Sequence, residues 1–367
     1  MYSSAAMSSL LTSGRNISFD NIKAILIFLV VFGHFVELHI AQDAFLRPIW
    51  IFAYAFHMPM FALVSGIFSK ANLDEKQSVQ LIRNIVAPLL GFELIYEATE
   101  YLIRGSFSVY AGLIAPYWML WYLMSLLCWR LLLPLFARLQ FPLILSLGLA
   151  LVTSYSEHLG YLLSGARTLF FFPFFILGWK LGANAFVSKR RDWRLICMAS
   201  VIVIVGSIMC FRLPAQFDYR WLYGSFSLHR LEMANLSGSM YQLLQYGVST
   251  LSGLSILYLL SLRDWGLARV GQRSMYVFLW HGMALIVLHQ LGILNRIFQL
   301  GDTARLLISL ASSAVIVYLG SHRYCEKFTQ KCILSPLNWL LVRQIRTPNP
   351  TPEITAQQVK DAPLTQK

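Results

Sequence analysis

Residues 15–37 read RNISFDNIKAILIFLVVFGHFVE, and this stretch decides how the rest of the chain is read. It is long and apolar enough to cross a membrane, yet it carries Asp20, Lys23, His34 and Glu37. At 100° per residue those four fall within roughly a 100° arc of one helical face. An ionisable side chain in hydrocarbon costs about 2.5 kcal/mol or more, so four on one face mark a lined cavity where chemistry is to be sought.

The surrounding composition agrees. Of 367 residues, 57% are hydrophobic and 13% charged, and the mean hydropathy is +0.59. That is too little polar surface to cover a water-soluble globule, and it defines an integral membrane protein. A formal charge of +13 would point to nucleic acid in a soluble protein. Here the Lys and Arg sit in short connectors between apolar runs, where they set topology, and nucleic acid is excluded as a partner. No Lys or Arg precedes Arg15 and the first 14 residues hold no long apolar core, so no cleaved signal peptide is expected. The five cysteines, Cys128, Cys197, Cys210, Cys325 and Cys332, form no CxxC pair. They read as free thiols packed in helices, and no metal site is expected.

Crossing about 30 Å of hydrocarbon takes around 20 apolar residues. Ten such runs are expected, at 20–41, 46–68, 81–103, 112–136, 140–156, 166–186, 193–211, 241–262, 274–292 and 303–321, giving an all-α polytopic protein. The chain divides into an N-terminal segment (1–16), a ten-helix membrane domain (17–325) and a partly disordered tail (326–367). With both termini cytoplasmic, 22 of the 30 Lys and Arg lie on or toward the inside and 8 outside, which satisfies the positive-inside rule. Residues 212–238 then form the longest outer loop. Phe217, Tyr219, Trp221, Tyr223 and His229 make it a candidate acceptor-binding lid, with interfacial packing as the alternative.

Lys23 and His34 are eleven residues apart, about 16 Å along one face. They serve different parts of one long site, Lys23 near the cytoplasmic entry and His34 just past the middle. In FHMPMFALVSGIF (56–68), His57 precedes Pro59, and a Pro inside a span frees carbonyls where backbone lines a cavity. His57 has either a catalytic or an orienting role. Arg83 begins the third span at the inner surface and matches phosphate geometry, though it also fits a snorkelling anchor. GQRSMYVFLWHG places Arg273 inside and His281 about two turns deeper, a third His for the cavity.

The order FDNIKAILIFLVVFGH, FHMPMFALVSGIF, WMLWYLMSLLCWRLLLP, FFPFFILGW and GQRSMYVFLWH, from about residue 15 to 325, resembles the membrane-bound acyltransferase 3 family. The likeness is to its branch of fucose 4-O-acetylases and exopolysaccharide acetylases. The resemblance implies transfer of an acetyl group from acetyl-CoA to a sugar hydroxyl of a cell-surface or exported polysaccharide, or of its lipid-linked precursor. It further implies a multi-pass protein of the bacterial cytoplasmic (inner) membrane, with membrane lipids and the polysaccharide assembly machinery as partners. The family's basic residue eleven before an essential His maps onto Lys23 and His34. Its paired arginines at the third span appear here only as Gln80 and Arg83.

Acetyl transfer needs a base, a cation for the CoA phosphates and donors near the developing oxyanion. His34 fills the first role, as base or as transient acyl carrier, with His57 and Asp20 beside it in the catalytic set. Asp20, one turn from Lys23, orients or neutralises that Lys. Lys23, Arg83 and Arg273 are the CoA candidates, and Ser65, Trp118 and His281 the substrate contacts. Two other readings stay open: transfer of succinyl or another acyl group to a periplasmic glucan, and a polysaccharide or lipid transporter, for which no inverted repeat is visible.

Overall fold

The computed structural model describes residues 16–160, 162–183 and 191–342. Residues 1–15, 161, 184–190 and 343–367 lie outside it, as do the expectations made for them. Every regular element among the described residues is helical.

Ten helices stand where ten spans are expected: α1 (Ile17–Glu37), α2 (Leu46–Ile67), α3 (Glu75–Arg104), α4 (Trp118–Phe136), α5 (Pro142–Thr153), α6 (Leu162–Leu181), α7 (Trp193–Arg212), α8 (Leu236–Ser261), α9 (Ser274–Gln290) and α10 (Asp302–Gly320). Eight are long and apolar enough to cross a membrane by length and composition. The exceptions are α5, with 12 residues, and α9, with 17. At 1.5 Å per residue they reach about 18 and 25 Å, short of the hydrocarbon thickness.

Local chemistry sets the boundaries. Asn16 caps α1 by accepting from Ser18 N–H (3.1 Å), so the helix begins three residues before the expected start. Asp43 accepts from Leu46 N–H (2.9 Å) at the head of α2. Asn235 caps α8 through Gly238 N–H (3.0 Å), so the helix begins five residues before the expected boundary. A widened turn at Ile82–Val86 interrupts α3. Beyond α10, the first part of the stretch read as tail is helical over 323–341.

The first span is the centre of the bundle. It packs against α2, α8, α9, α10 and the short helix Ala268–Gln272, and Ile22, Leu26, Val31, Phe35 and Val36 on it are fully buried. By contrast, α7 lies at the rim and exposes Val201, Ile204, Ile208 and Met209, a face suited to lipid. The backbones of α2 and α6 approach closely. A Cβ on Gly66 would come within 1.9 Å of Phe175 O, and one on Gly178 within 1.9 Å of Leu63 O. Two glycines therefore let the backbones touch, the small-residue packing of membrane helices. That contact fixes α2, and α2 carries the side chains that face α1.

Candidate active site

Near the C-terminal end of α1, His34 Nδ1 lies 2.6 Å from Glu37 Oε2. Residues three apart share a helical face, so the pair is local in origin. The carboxylate fixes the tautomer: Nδ1–H donates, and Nε2 keeps its lone pair for a proton. Tyr54 on α2 stands over the pair, its hydroxyl 3.4 Å from Glu37 Oε2 and 3.5 Å from His34 Nδ1. Trp50 stacks on Tyr54 (3.7 Å, 23°) and donates from Nε1 to Gly33 O (3.2 Å). The backbone next to His34 is thereby held. Tyr223 and the Arg167 guanidinium also act on Glu37 electrostatically.

Two further histidines close on this group. His281 of α9 stacks on His34 with ring centroids 5.6 Å apart and 27° between planes. Its Nδ1–H donates to Phe278 O (2.7 Å), and its buried Nε2 has no hydrogen-bond partner among the described residues. His57 lies one ring beyond, 4.5 Å from Tyr54, with Nδ1–H donating to Ala53 O (2.8 Å). Trp118 meets His34 edge-on at 5.2 Å. Four of the expected site residues, His34, His57, Trp118 and His281, thus form one cluster.

The cluster opens into a cavity of about 480 Å³ lined by His34, Glu37, Trp118, Tyr117, Glu100, Arg104 and His289 among others. Its wall is the 105–118 segment, clamped by three carboxylates on one face of α3. Glu93 accepts from Tyr117 N–H (3.0 Å), Glu97 from Ser108 N–H (2.9 Å) and the Ser108 hydroxyl, and Glu100 from Tyr117 Oη (3.0 Å). No residue of 212–238 lines this cavity. That loop packs on α2 instead: Tyr219 and Tyr223 meet Trp50 edge-on (5.6 and 5.7 Å), and Arg47 donates to Ala215 O and Phe217 O.

Toward the other end of α1 lies a second, smaller cavity of about 150 Å³, lined by Lys23, Ser65, Tyr122, Ser274 and Phe278 among others. Lys23 Nζ pairs with Asp20 Oδ1 at 2.6 Å, and Gln272 Nε2 donates to Asp20 Oδ2 (3.2 Å). Ser65 shares a hydrogen bond with Tyr122 (2.8 Å). Asp20 is therefore grouped with Lys23, fourteen residues or about 21 Å from His34 along the helix. Arg83 is exposed on the widened turn of α3 and lines neither cavity. Arg273 pairs with Glu326 (2.7 Å) and donates to Ser321 O (3.4 Å), tying α9 to the helix after α10.

The residues not singled out from sequence as site residues are Tyr54, Glu37 and Arg167, while Tyr223 reads only as part of the outer loop. Glu37 is visible on the charged face of α1, and Arg167 is a charge one turn inside the sixth span, the kind of residue that signals function in a membrane. Among the described residues no group of three or more His, Cys, Asp or Glu is placed to hold a metal ion.

A bundle of apolar helices long enough to span a membrane, with a half-buried His–Glu pair on the wall of an internal cavity, is the architecture of an integral-membrane protein with a site inside its bundle. The sequence profile described as an acyltransferase domain matches residues 16–322, and the chain belongs to the acyltransferase 3 family. Its long apolar helices make it a multi-pass membrane protein. It is 31% identical over 124 residues to the nodulation protein NolL of Sinorhizobium fredii, over 30% of this chain and 34% of that protein. A 72-residue stretch is 43% identical to the nodulation protein NolL of Mesorhizobium japonicum, covering 19% of each chain. The alignments span about a third and a fifth of these relatives. No solved structure matches the chain.

Proposed function

We propose that the protein is an O-acetyltransferase that moves an acetyl group from acetyl-CoA to a sugar hydroxyl of a surface or exported polysaccharide or its lipid-linked precursor. The observation that carries this reading is the 2.6 Å contact of His34 with Glu37 on the wall of the 480 Å³ cavity. It is the arrangement a general base needs: an imidazole oriented by a carboxylate, with a free lone pair beside space for a hydroxyl.

In this reading the acceptor sugar occupies the cavity, among Tyr117, Trp118, Glu100 and His289. His34 Nε2 takes the hydroxyl proton as the sugar oxygen attacks the thioester carbonyl; the new C–O bond forms and the C–S bond breaks. Glu37 stabilises the imidazolium, and His34 then returns the proton to the departing sulfur. His281, stacked on His34, positions that ring. The donor enters from the Lys23 end, where the ammonium meets CoA phosphate and the Ser65–Tyr122 pair lines the path. Both termini are cytoplasmic, in a bacterial inner membrane, so donor and acceptor approach α1 from opposite ends.

Purified protein in nanodiscs, given radiolabelled acetyl-CoA and fragments of its host's surface polysaccharide, tests the reading. Label should pass to the glycan with wild-type protein and not with His34→Gln. Label that passes only from succinyl-CoA would change the acyl group, and glycan movement across liposomes without acylation would favour a transporter.

A further inference from the structure

At the same end of the bundle as His34, a separate cavity of about 380 Å³ lies between the α1–α2 turn and the head of α10. Its size is within the range of small-ligand sites. It is lined by His39, Gln42, Asp43, Phe298, Asp302 and Arg305 among others. The His39 ring lies flat on Phe298, with centroids 3.9 Å apart and planes at 10°.

The charges here are engaged with one another. Arg305 Nε pairs with Asp43 Oδ2 (2.9 Å) and its Nη2 with Asp302 Oδ1 (2.5 Å), while Asp43 also caps α2. One guanidinium facing two carboxylates leaves no surplus positive charge for a phosphate or other anion. His39 Nε2–H donates to Asn295 Oδ1 (3.2 Å), so Nδ1 carries a lone pair; that atom is buried and has no partner among the described residues. Burial also lowers the His39 pKa, which keeps the ring neutral. An unpartnered buried acceptor calls for a hydroxyl or N–H donor. Gln42, exposed on the rim, offers an amide that both donates and accepts.

We propose that this cavity is a second carbohydrate subsite, which holds the sugar unit neighbouring the one acetylated at His34. A pyranose presents an apolar C–H face to an aromatic ring and hydroxyls at its rim, which matches an aromatic pair edged by amide, imidazole and carboxylate. Continuity supports it: Leu38 lines the catalytic cavity and His39, the next residue, lines this one. A chain of sugars then crosses a single turn between the two. The proposal rests on the carbohydrate reading above and adds that the acceptor is at least two sugar units long.

The test is equilibrium binding of monosaccharide and tetrasaccharide fragments of the host's own surface polysaccharide to His34→Gln protein, with and without Ala44→Trp. Ala44 is exposed on the cavity wall, so an indole there fills the space without entering the core. Ala44→Trp should weaken tetrasaccharide binding at least tenfold and leave monosaccharide binding within twofold, which also shows that the variant is folded. Unchanged tetrasaccharide binding, or equal weakening of both fragments, overturns the subsite alone. If neither fragment binds, the carbohydrate reading fails and the subsite with it.

Discussion

His34 and Glu37 pair at 2.6 Å in the last turn of α1, a place where the helix dipole disfavours a carboxylate. Glu37 is kept there by His34, Tyr54, Tyr223 and the field of Arg167. A carboxylate held against the dipole by four groups serves to orient and charge-balance the imidazole. Glu37→Gln should therefore lower kcat by roughly 10²- to 10⁴-fold, the range of an acid–base catalyst deprived of its orienting carboxylate. The KM for acetyl-CoA should stay near wild type. Initial-rate measurements decide it, and unchanged kcat would make the pair structural.

Among the described residues, Lys23 is the one charged side chain lining the smaller cavity. Lys23→Ala should raise the KM for acetyl-CoA about tenfold to hundredfold, from the loss of one charge-assisted phosphate contact of about 1.5–3 kcal/mol. Lys23→Arg should recover part of it. Donor titrations showing the same KM in Lys23→Ala would remove Lys23 from donor binding.

How legible each feature is in the sequence follows from how strongly it is penalised elsewhere. Charges in apolar helices are costly, so the spacing of Asp20, Lys23, His34 and Glu37 is enough to declare a functional face, and the same logic extends to Arg167. Partnerships across the chain carry no such mark. That Glu37 faces Tyr223, Asp20 meets Gln272 and Arg273 meets Glu326 depends on how α1 packs against the 212–238 loop and the short helix Ala268–Gln272, and α9 against the helix after α10, which local pattern does not encode. The aromatic loop 212–238 fits a lid and interfacial packing alike by composition, and in the structure Tyr219 and Tyr223 pack on Trp50 and Tyr54. An aromatic cluster serves either end with the same composition.

The Gly66–Gly178 crossing predicts a stability effect remote from the chemistry. Gly178→Ala places a methyl within 1.9 Å of Leu63 O and should destabilise the protein by about 1–3 kcal/mol, the usual cost of overpacking. Gly148→Ala is the control, since a Cβ there meets nothing within 4 Å. Thermal unfolding followed by size-exclusion chromatography should show a lower midpoint for the first and an equal or slightly higher one for the second, since Ala favours the helix over Gly.

Acid should release the 212–238 loop. Asp218 caps the Tyr219–Tyr223 turn; burial alone would push its carboxyl up, but hydrogen bonds from Arg220 hold it below the ordinary 3.8. A depressed acid stabilises the folded form above its unfolded pKa, and that contribution is lost as pH falls through the lower folded value. Protection of the loop amides, that is exchange corrected for its intrinsic pH dependence, should be the same at pH 7 and 5 and fall below about pH 4. Asp218→Asn should remove that acid step, and an unchanged step would assign it to another group.

The final prediction concerns orientation. If both termini are cytoplasmic, His229 and Lys76 lie on opposite sides of the membrane, because four helices, α4 to α7, and the crossing of α3 separate them. His229 is exposed in the loop and Lys76 at the head of α3, so cysteines placed there meet water without disturbing the core. Ser225, in the same loop, is 3% exposed and would make a poor reporter. The native Cys197 and Cys332 are exposed and are first replaced by serine. In intact cells an impermeant thiol reagent should label His229→Cys, and Lys76→Cys should react only after permeabilisation. The opposite pattern would invert the protein and bring the 480 Å³ cavity to the cytoplasm, so that acceptor and donor would have to exchange the ends assigned to them.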